Sequence, residues 1–343
     1  MSQENRFTYI DVVRGIGIIL VVFSHSTKPE LMYWANGFFM PLFFVLSGFL
    51  DKTDRDNFSL LESVKKKGKR LLIPYFFWCI IILVITKNSS SLSLDDFVGI
   101  LYSRAAFFKK GFDDNVLFLD YYIRPLWFLT SLFTSYIMYY LILLTNNKDR
   151  GYIIVCYVVI AIGVKYLPIL LPWCIDISFL GALFIFAGRL IRINKGLILN
   201  CSYKQILILF IVYLLLHYIN GNENLSMSNM GRLAAFSLIC GVTATYALTC
   251  LVWRVNRYNT ESPMILVGGA ENVLRWIGKN SLAIFCIHLP LLSMIGALMK
   301  DCLECDNDVI ISICQAIVSI LIGGAISHLV RMIFPLAIGE RRK

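Results

Sequence analysis

Long uninterrupted apolar runs are the feature of this sequence that most restricts its fold. Apolar blocks long enough to cross a membrane, which takes about 20 residues per helix, alternate with short charged stretches. Charged residues make up only 16% of the chain, whereas roughly a quarter is usual in a soluble domain. The sequence therefore predicts an all-α polytopic membrane protein, and it excludes both an ordinary soluble domain and a disordered chain.

We predict about ten transmembrane helices in a single membrane domain that covers residues 1–343. The predicted spans are 9–26, 35–50, 71–87, 125–145, 152–168, 173–190, 204–220, 232–253, 280–299 and 309–333. Two hydrophilic segments interrupt them. Residues 51–70 form a basic amphipathic segment expected along the cytoplasmic interface, and residues 87–124 form an outer loop expected to act as a lid or substrate platform. Because no second soluble domain follows the last span before Lys343, we expect the chemistry to be completed within the bundle.

The basic charge of the chain indicates its orientation before it indicates a partner. With the N-terminus inside, 22 of the 32 Lys and Arg residues fall on the cytoplasmic face. This excess is the positive-inside rule, which predicts that both termini are cytoplasmic. The net charge of +10 therefore does not point to nucleic acid.

Two ionisable residues lie within the first predicted span. Arg14 and His25 are eleven residues apart, which is three helical turns plus about 20°, so both side chains share one face about 16 Å apart along the axis. Alone, Arg14 could snorkel to the interface or pair with Asp11, and His25 could be an interfacial hydrogen-bonding residue. Together, beside Gly15 and Gly17, they favour a functional groove with a phosphate-binding guanidinium at one end and a proton-transferring imidazole at the other.

The motifs around this pair resemble the membrane acyltransferase 3 family. The resemblance rests on Arg14 and His25, on FFMPLFFVLSGFL at 38–50 and KRLLIPYFFW at 69–78, and on PLWFLTSLF at 125–133 and IGKNSLAIFCIHLPLL at 277–292. These motifs are most similar to the sugar O-acetyltransferase branch, which includes fucose 4-O-acetylase-like proteins. The resemblance implies transfer of an acyl group, usually acetyl, from cytoplasmic acetyl-CoA to a sugar hydroxyl. The implied setting is a bacterial inner membrane, and the implied acceptor is a surface polysaccharide or its lipid-linked precursor.

The resemblance also implies roles for individual residues. Arg14 and His25 match the essential pair of the family. Lys67 and Arg70 match a basic element before span three, with Lys67 in place of an arginine, and positive-inside charge alone is the other explanation of this run. Arg14, Lys67 and Arg70 are then expected to anchor the phosphates of CoA. Gly48 is expected to permit close helix packing.

For the chemistry, the expected general base is His25, which would deprotonate the acceptor hydroxyl as it attacks the thioester. Whether the acyl group moves directly or rests briefly on His25 stays open. Ser47, Trp127 or a backbone N–H could stabilise the oxyanion. On the outer side the expected sugar-binding residues are Asp113, Asp114, Asp120 and Arg124, although solvated loop charge also explains them.

Three further histidines and two cysteines complete the candidates. His288 is expected in the inner or middle part of the membrane, as a substrate contact, whereas His217 and His328 are expected to be interface or helix-packing residues. Many relatives carry a histidine where this chain has Phe39. Cys302 and Cys305 indicate an outward-facing disulfide or two free thiols, and no metal site is expected.

The sequence is also compatible with two other functional classes. A lipid-linked glycan transporter could use the intramembrane charges as a path, and a glycan polymerase could bind an acidic lipid-linked sugar through Arg104 and Arg124. Neither explains why Arg14 and His25 share one face. Dependence on acetyl-CoA separates the acyltransferase from both.

Overall fold

All regular structure in the described part of the chain is helical. The computed structural model describes residues 8–26, 29–53, 58–87, 92–109, 119–194, 196–261, 264–302 and 307–340, and within these ranges it contains two isolated β-bridges and no strand. The helices are α1 Thr8–Ser26, α2 Tyr33–Asn36, α3 Phe39–Leu50, α4 Leu60–Thr86, α5 Leu94–Tyr102, α6 Trp127–Leu144, α7 Arg150–Val164, α8 Ile175–Ile193, α9 Gly196–Asn200, α10 Tyr203–Asn220, α11 Ala234–Glu261, α12 Ile265–Lys279, α13 Ser281–Ala297 and α14 Asp308–Ile333. The prediction of an all-α fold is confirmed.

Most of the predicted spans correspond to long apolar helices. Within the described ranges, nine helical segments are long and apolar enough to cross a membrane, and the predicted span at 152–168 corresponds to α7, a shorter apolar helix of 15 residues. The predicted span at 35–50 is formed by α2 and α3, which a turn at Gly37 and Phe38 separates. The chain is a multi-pass membrane protein.

Most of the basic segment and the third predicted span form one continuous helix, α4, so the segment is not separated from the span. Helix α4 begins after Ser59, whose hydroxyl accepts the N–H of Glu62 at 3.5 Å, and it continues through Pro74. A proline removes one backbone hydrogen bond, here the bond to the carbonyl of Arg70. The helix nevertheless continues to Thr86, and a Cβ atom on Gly339 would lie 3.0 Å from that carbonyl oxygen. Lys67 and Arg70 are therefore fixed on the same helix as the membrane-embedded residues.

Close backbone contact joins α3 to α8. A Cβ atom on Gly48 would lie 1.8 Å from the carbonyl oxygen of Ile185, and one on Gly188 would lie 1.9 Å from the carbonyl oxygen of Val45. Any side chain at these positions would separate the two helices, because small residues are what lets helix backbones approach in a membrane. The predicted packing role of Gly48 is confirmed.

The described part of the outer segment is fastened to the helices below it. The hydroxyl of Tyr75 donates to the carbonyl of Ile100 at 2.6 Å, and the indole N–H of Trp173 donates to the carbonyl of Leu101 at 2.6 Å. Helix α5 is thus hydrogen-bonded to the helices beside it. Residues 88–91 and 110–118 of the predicted lid or substrate platform lie outside the described residues.

At the start of α5, the carboxylate of Asp96 accepts hydrogen bonds from Lys87 and Ser93. Burial alone would raise the pKa of Asp96, but the Lys87 ammonium and the Ser93 donors offset this effect and hold that pKa below its ordinary value.

The chain returns to the bundle after α14. A 3₁₀ turn at Pro335–Ile338 packs against α4, where the indole N–H of Trp78 donates to the carbonyl of Ala337 at 2.9 Å. Arg331 then binds both carboxylate oxygens of Glu340 at 3.0 Å. We call residues 335–340 the C-terminal turn. It lies at the same end of the bundle as the start of α1, near the inner cavity described below.

The contact at Gly48 generates a stability prediction. We expect Gly48→Ala to lower the free energy of unfolding by about 1–3 kcal/mol, because the added methyl group must push α8 away from α3. The measurement is thermal or denaturant unfolding of the full chain in detergent. Gly163→Ala is the matched control, since a Cβ atom there meets nothing within 4 Å. Equal unfolding curves for both variants would show that the contact between α3 and α8 does not depend on glycine.

Candidate active site

A cavity of about 250 Å³ lies between α1, α3, α4, α6 and α13, and the C-terminal turn closes one side of it. We call it the inner cavity. Four cationic side chains and one carboxylate line it, namely Arg14, Lys67, Arg70, Lys279 and Glu340. The three residues expected to bind phosphates, Arg14, Lys67 and Arg70, are therefore brought to one chamber from two different helices. Ser47 lines the same chamber.

A wider cavity of about 550 Å³ adjoins the inner cavity. We call it the mouth. The two cavities share Arg14, Lys279 and Glu340, and the mouth adds polar side chains from the start of α1 and from α14, among them Asp11, His328 and Arg331. His328, expected to be an interface or helix-packing residue, lines the mouth. The mouth lies at the end of the bundle that the charge distribution predicts to be cytoplasmic.

The cations of the inner cavity differ in how fully their charges are paired. Lys67 lies 3.2 Å from Asp51, and its ammonium sits 3.5 Å from the centre of the Tyr136 ring. Arg14 is 3.7 Å from Asp11, as the sequence suggested. In the part of the chain that the structure describes, Arg70 has no ion pair and no side-chain hydrogen bond. An anion entering the cavity would therefore meet an uncompensated guanidinium.

Asp51, which the sequence did not indicate as a site residue, contacts Lys67, Tyr139 and Arg189 beside this chamber. It is buried at the end of α3, accepts the hydroxyl of Tyr139 at 3.1 Å, and has Arg189 at 4.0 Å. Nearby, the hydroxyl of Tyr136 donates to the carbonyl of Ser47 at 3.0 Å. A carboxylate directly after an apolar span was the available sequence signal for Asp51. No local pattern indicated Glu340.

Three aromatic rings from three helices close the other end of the inner cavity. Phe43 on α3, Phe128 on α6 and Phe285 on α13 all line the cavity. The ring centres of Phe43 and Phe128 are 6.0 Å apart, and those of Phe128 and Phe285 are 5.6 Å apart. These rings form an apolar part of the cavity lining, and Phe285 lies one helical turn before His288 on α13.

One helical turn after Phe285 on α13, His288 lies beside His25. The ring centres of His25 and His288 are 5.1 Å apart, and the ring of His288 is 5.9 Å from Phe285. His288 is completely buried, whereas His25 is exposed at the end of α1. Arg14 and His25 both lie on unbroken α1, so the spacing of about 16 Å holds between their backbone positions.

His288 lies at the depth of His25, near the end of α1, which corrects the expectation of an inner or middle position. The cause is the way α12 meets α1: a Cβ atom on Gly15 would lie 2.1 Å from the carbonyl oxygen of Leu274, and one on Gly278 would lie 1.8 Å from that of Asp11. Helix α13 therefore starts beside the first half of α1. It reaches the depth of His25 within about two turns.

The other predicted substrate residues lie apart from the inner cavity. Trp127 is buried, its ring is 6.1 Å from that of Phe128, and it is not among the residues that line the chamber. Asp120 accepts the N–H of Tyr122 at 3.0 Å, and Arg124 lies 5.7 Å from the centre of the Tyr121 ring. Asp113, Asp114 and Cys305 lie outside the described residues, as does the side chain of Cys302.

The structure gives Arg104 a different role from the sugar binding considered for a polymerase. Arg104 and Asp176 are both fully buried and lie 2.5 Å apart. Arg104 also donates to Ser228 at 2.8 Å and to the sulfur of Cys174 at 2.7 Å. This network ties the outer segment to α8 and to the loop before α11. Arg104 is therefore not available to bind a ligand.

His217 is a packing residue, as expected. It is buried between α10 and α2, and its Nε2–H donates to the carbonyl of Tyr33 at 2.8 Å. Among the described residues, no group of three or more His, Cys, Asp or Glu side chains is arranged to hold a metal ion.

A family model described as an acyltransferase domain matches residues 7–328. The chain belongs to the acyltransferase 3 family. Two relatives are both named nodulation protein NolL. The one from Mesorhizobium japonicum is 28% identical over 183 residues, which is 50% of this chain and 44% of the relative. The one from Sinorhizobium fredii is 33% identical over 93 residues, which is 24% of this chain and 25% of the relative. The chain thus spans less than half the length of these relatives, and no solved structure matches it.

The buried pair of Arg104 and Asp176 generates a prediction. We expect Asp176→Asn to lower the free energy of unfolding by about 3–5 kcal/mol, because it leaves a buried guanidinium without its counter-charge. Glu261→Gln is the matched control, since it breaks a pair with Arg257 in which both side chains are 62% exposed. Unfolding of the two purified variants in detergent is the measurement. A loss no greater than that of the control would refute the anchoring role.

Proposed function

We propose that the chain transfers an acetyl group from acetyl-CoA to a hydroxyl group of a glycan. Membership of the acyltransferase 3 family supports acyl transfer in general. The observation that carries the finer proposal is the arrangement along α1: a cavity lined by cations and by three phenylalanine rings lies at Arg14, and the imidazole of His25 lies beside that of His288 about three turns further along the helix. A donor with phosphates at one end and a thioester at the other matches this arrangement.

The donor binds with its phosphates in the mouth and inner cavity. The two cavities together carry an excess of positive charge. Their lining contains the cations Arg14, Lys67, Arg70, Lys279 and Arg331 and the carboxylates Asp11 and Glu340. One guanidinium can donate two parallel hydrogen bonds to the oxygens of a phosphate, whereas the lysine ammonium acts as a point charge. The pantetheine arm is a long flexible chain, so it extends along Phe43, Phe128 and Phe285 and presents the thioester to His25. Ser47 lies with Tyr136 and Lys67, so we assign it to the donor chamber and not to the oxyanion.

The reaction takes place at His25. A ring nitrogen of His25 accepts the proton of the acceptor hydroxyl while the hydroxyl oxygen attacks the thioester carbonyl. The carbon–sulfur bond then breaks, and the CoA thiolate takes the proton from the His25 imidazolium. The products are an acetyl ester on the glycan and free CoA. Donors for the oxyanion come from backbone N–H groups or from Trp127.

The acceptor arrives from the side opposite the donor. His25 is exposed at the end of α1 that the positive-inside rule predicts to face away from the cytoplasm. We therefore propose a bacterial inner-membrane location and an acceptor that is a surface polysaccharide or its lipid-linked precursor. Asp120 and Arg124 of the outer segment are the candidate contacts for its hydroxyl groups.

The main test is mass spectrometry of surface glycan from cells that lack the chain and are complemented with it. We expect a base-labile acetyl mass with the unmodified chain and a loss of at least about 100-fold in its rate of appearance with His25→Ala, because general bases contribute 10² to 10⁴ in rate. Gly163→Ala at equal membrane abundance is the background variant. Unchanged acetylation, together with altered chain length or lost surface glycan, would refute the acyltransferase and favour the polymerase or transporter.

A second prediction separates a phosphate site from positive-inside charge. We expect Arg70→Gln to raise the KM for acetyl-CoA about tenfold with little change in kcat, which corresponds to about 1.4 kcal/mol of lost binding. Lys66→Gln removes the same charge from the same helix, but its side chain lines neither cavity. Label transfer from radiolabelled acetyl-CoA into alkali-releasable ester, measured in inverted membrane vesicles, gives both constants. Equal effects of the two variants would mean that only the overall basic charge matters.

A further inference from the structure

One ring nitrogen of His288 makes a hydrogen bond, and the other has no hydrogen-bond partner among the described residues. Its Nδ1 lies 2.7 Å from the carbonyl oxygen of Phe285. A carbonyl oxygen accepts hydrogen bonds and never donates them, so Nδ1 carries the proton. A neutral imidazole holds only one proton, and its second nitrogen, Nε2, is then an acceptor with a free lone pair.

That lone pair is buried without a donor. Nε2 of His288 has no hydrogen-bond partner among the described residues, and the residue is completely inaccessible to solvent. Leaving a buried polar atom unpaired costs about 1–3 kcal/mol, so such atoms in a native fold call for an explanation. The neighbouring polar ring is that of His25, 5.1 Å away between centres. Phe285 supplies an apolar face to the same ring.

We propose that His288 is the positioning residue of a two-imidazole dyad, accepting through its bare Nε2 a hydrogen bond from one ring N–H of His25. This inference rests on the proposed function, because it assigns the orientation of the base in that reaction. With one nitrogen of His25 donating to His288, the other is bare and faces the groove where the acceptor hydroxyl binds. Active-site bases are commonly oriented by a third group in this manner.

The dyad also accounts for the proton during transfer. When His25 takes the proton of the acceptor hydroxyl, it becomes an imidazolium with two N–H groups, and one of them still donates to Nε2 of His288. The thiolate of CoA then removes the other proton, so His25 returns to its starting tautomer. His288 stays neutral throughout, with its Nδ1–H on the carbonyl of Phe285.

A neutral partner is the chemically appropriate one at this depth. A carboxylate buried among Phe285 and the apolar residues of α13 would carry a large desolvation cost. An imidazole offers an acceptor of the same geometry with no net charge. The pair therefore orients the exposed base His25 without burying an ion in the resting state.

Two substitutions at His288 test the proposal. The amide nitrogen of His288→Asn replaces Nδ1 and keeps the donor to Phe285, but its side chain ends before Nε2. The longer side chain of His288→Gln places an amide oxygen near the position of Nε2. We expect the asparagine variant to lower kcat about 10-fold to 100-fold, the usual effect of losing such an orienting partner, at unchanged KM for acetyl-CoA. We expect the glutamine variant to recover most of that rate.

The assay uses the full chain in inverted vesicles, with radiolabelled acetyl-CoA and alkali-releasable label as the product. No label transfer by the unmodified chain would refute the proposed function itself. Transfer by the unmodified chain together with equal kcat in the asparagine variant would overturn the dyad alone. Equal losses in both variants, or a parallel rise in KM, would also overturn it, because they indicate a packing role.

A measurement on the unmodified chain covers the case in which a variant fails to fold. The chain has only 4 histidines, so ring-nitrogen NMR of histidine-labelled protein in lipid can resolve each of them. We expect His288 to show a protonated Nδ1 and an Nε2 that accepts a hydrogen bond from the ring of His25. A His288 protonated at Nε2, or one without coupling to His25, would overturn the proposal.

Discussion

The cost of an uncompensated charge away from water is the constraint on which the rest of this structure depends. Each deeply placed cation has a counter-charge within reach: Arg104 has Asp176, Lys67 has Asp51 and Arg14 has Asp11. Within the described ranges, Arg70 and Lys279 make no ion pair, and both line the inner cavity. Both side chains are exposed, so water can solvate their charges before the donor binds. In the proposed reaction they are available to the phosphates of the donor without first breaking an ion pair.

Helix α1 relates the two ends of the site because it is straight and tightly held. Gly15 and Gly17 bring neighbouring groups close to its backbone, with α12 on one side and the side chains of Leu42 and Phe43 on the other. Helix α1 therefore has little freedom to tilt, and the distance between the guanidinium end and the imidazole end is fixed by the helical rise. In the proposed reaction the length of the donor is matched to this distance. The α3 and α8 pair, joined through Gly48 and Gly188, supplies the opposite rigid wall.

Sequence reasoning recovered what local patterns encode. Apolar length gave the spans, and helical periodicity placed Arg14 and His25 on one face, because both depend only on residues near each other in the chain. It failed where distant segments meet. The chamber around Arg70 includes Gly339 and Glu340 from the far end of the chain, and the depth of His288 depends on where α12 docks on α1. The burial of Arg104 likewise depends on Asp176 and Ser228, which lie 72 and 124 residues away in the chain.

The aromatic lining of the inner cavity bears on the choice among the three functional classes. A transporter must pass a whole glycan, and a sugar ring with its hydroxyl groups is both wide and strongly hydrated. Phe43, Phe128 and Phe285 pack against one another where they line the cavity, and their rings offer no hydrogen-bond partner to replace lost water. A pantetheine arm has only two amides and one hydroxyl along its length, so it exposes fewer polar groups to these rings than a glycan of several sugars. The lining therefore favours a reaction in which only the acyl group crosses, while the phosphates remain on one side and the glycan on the other.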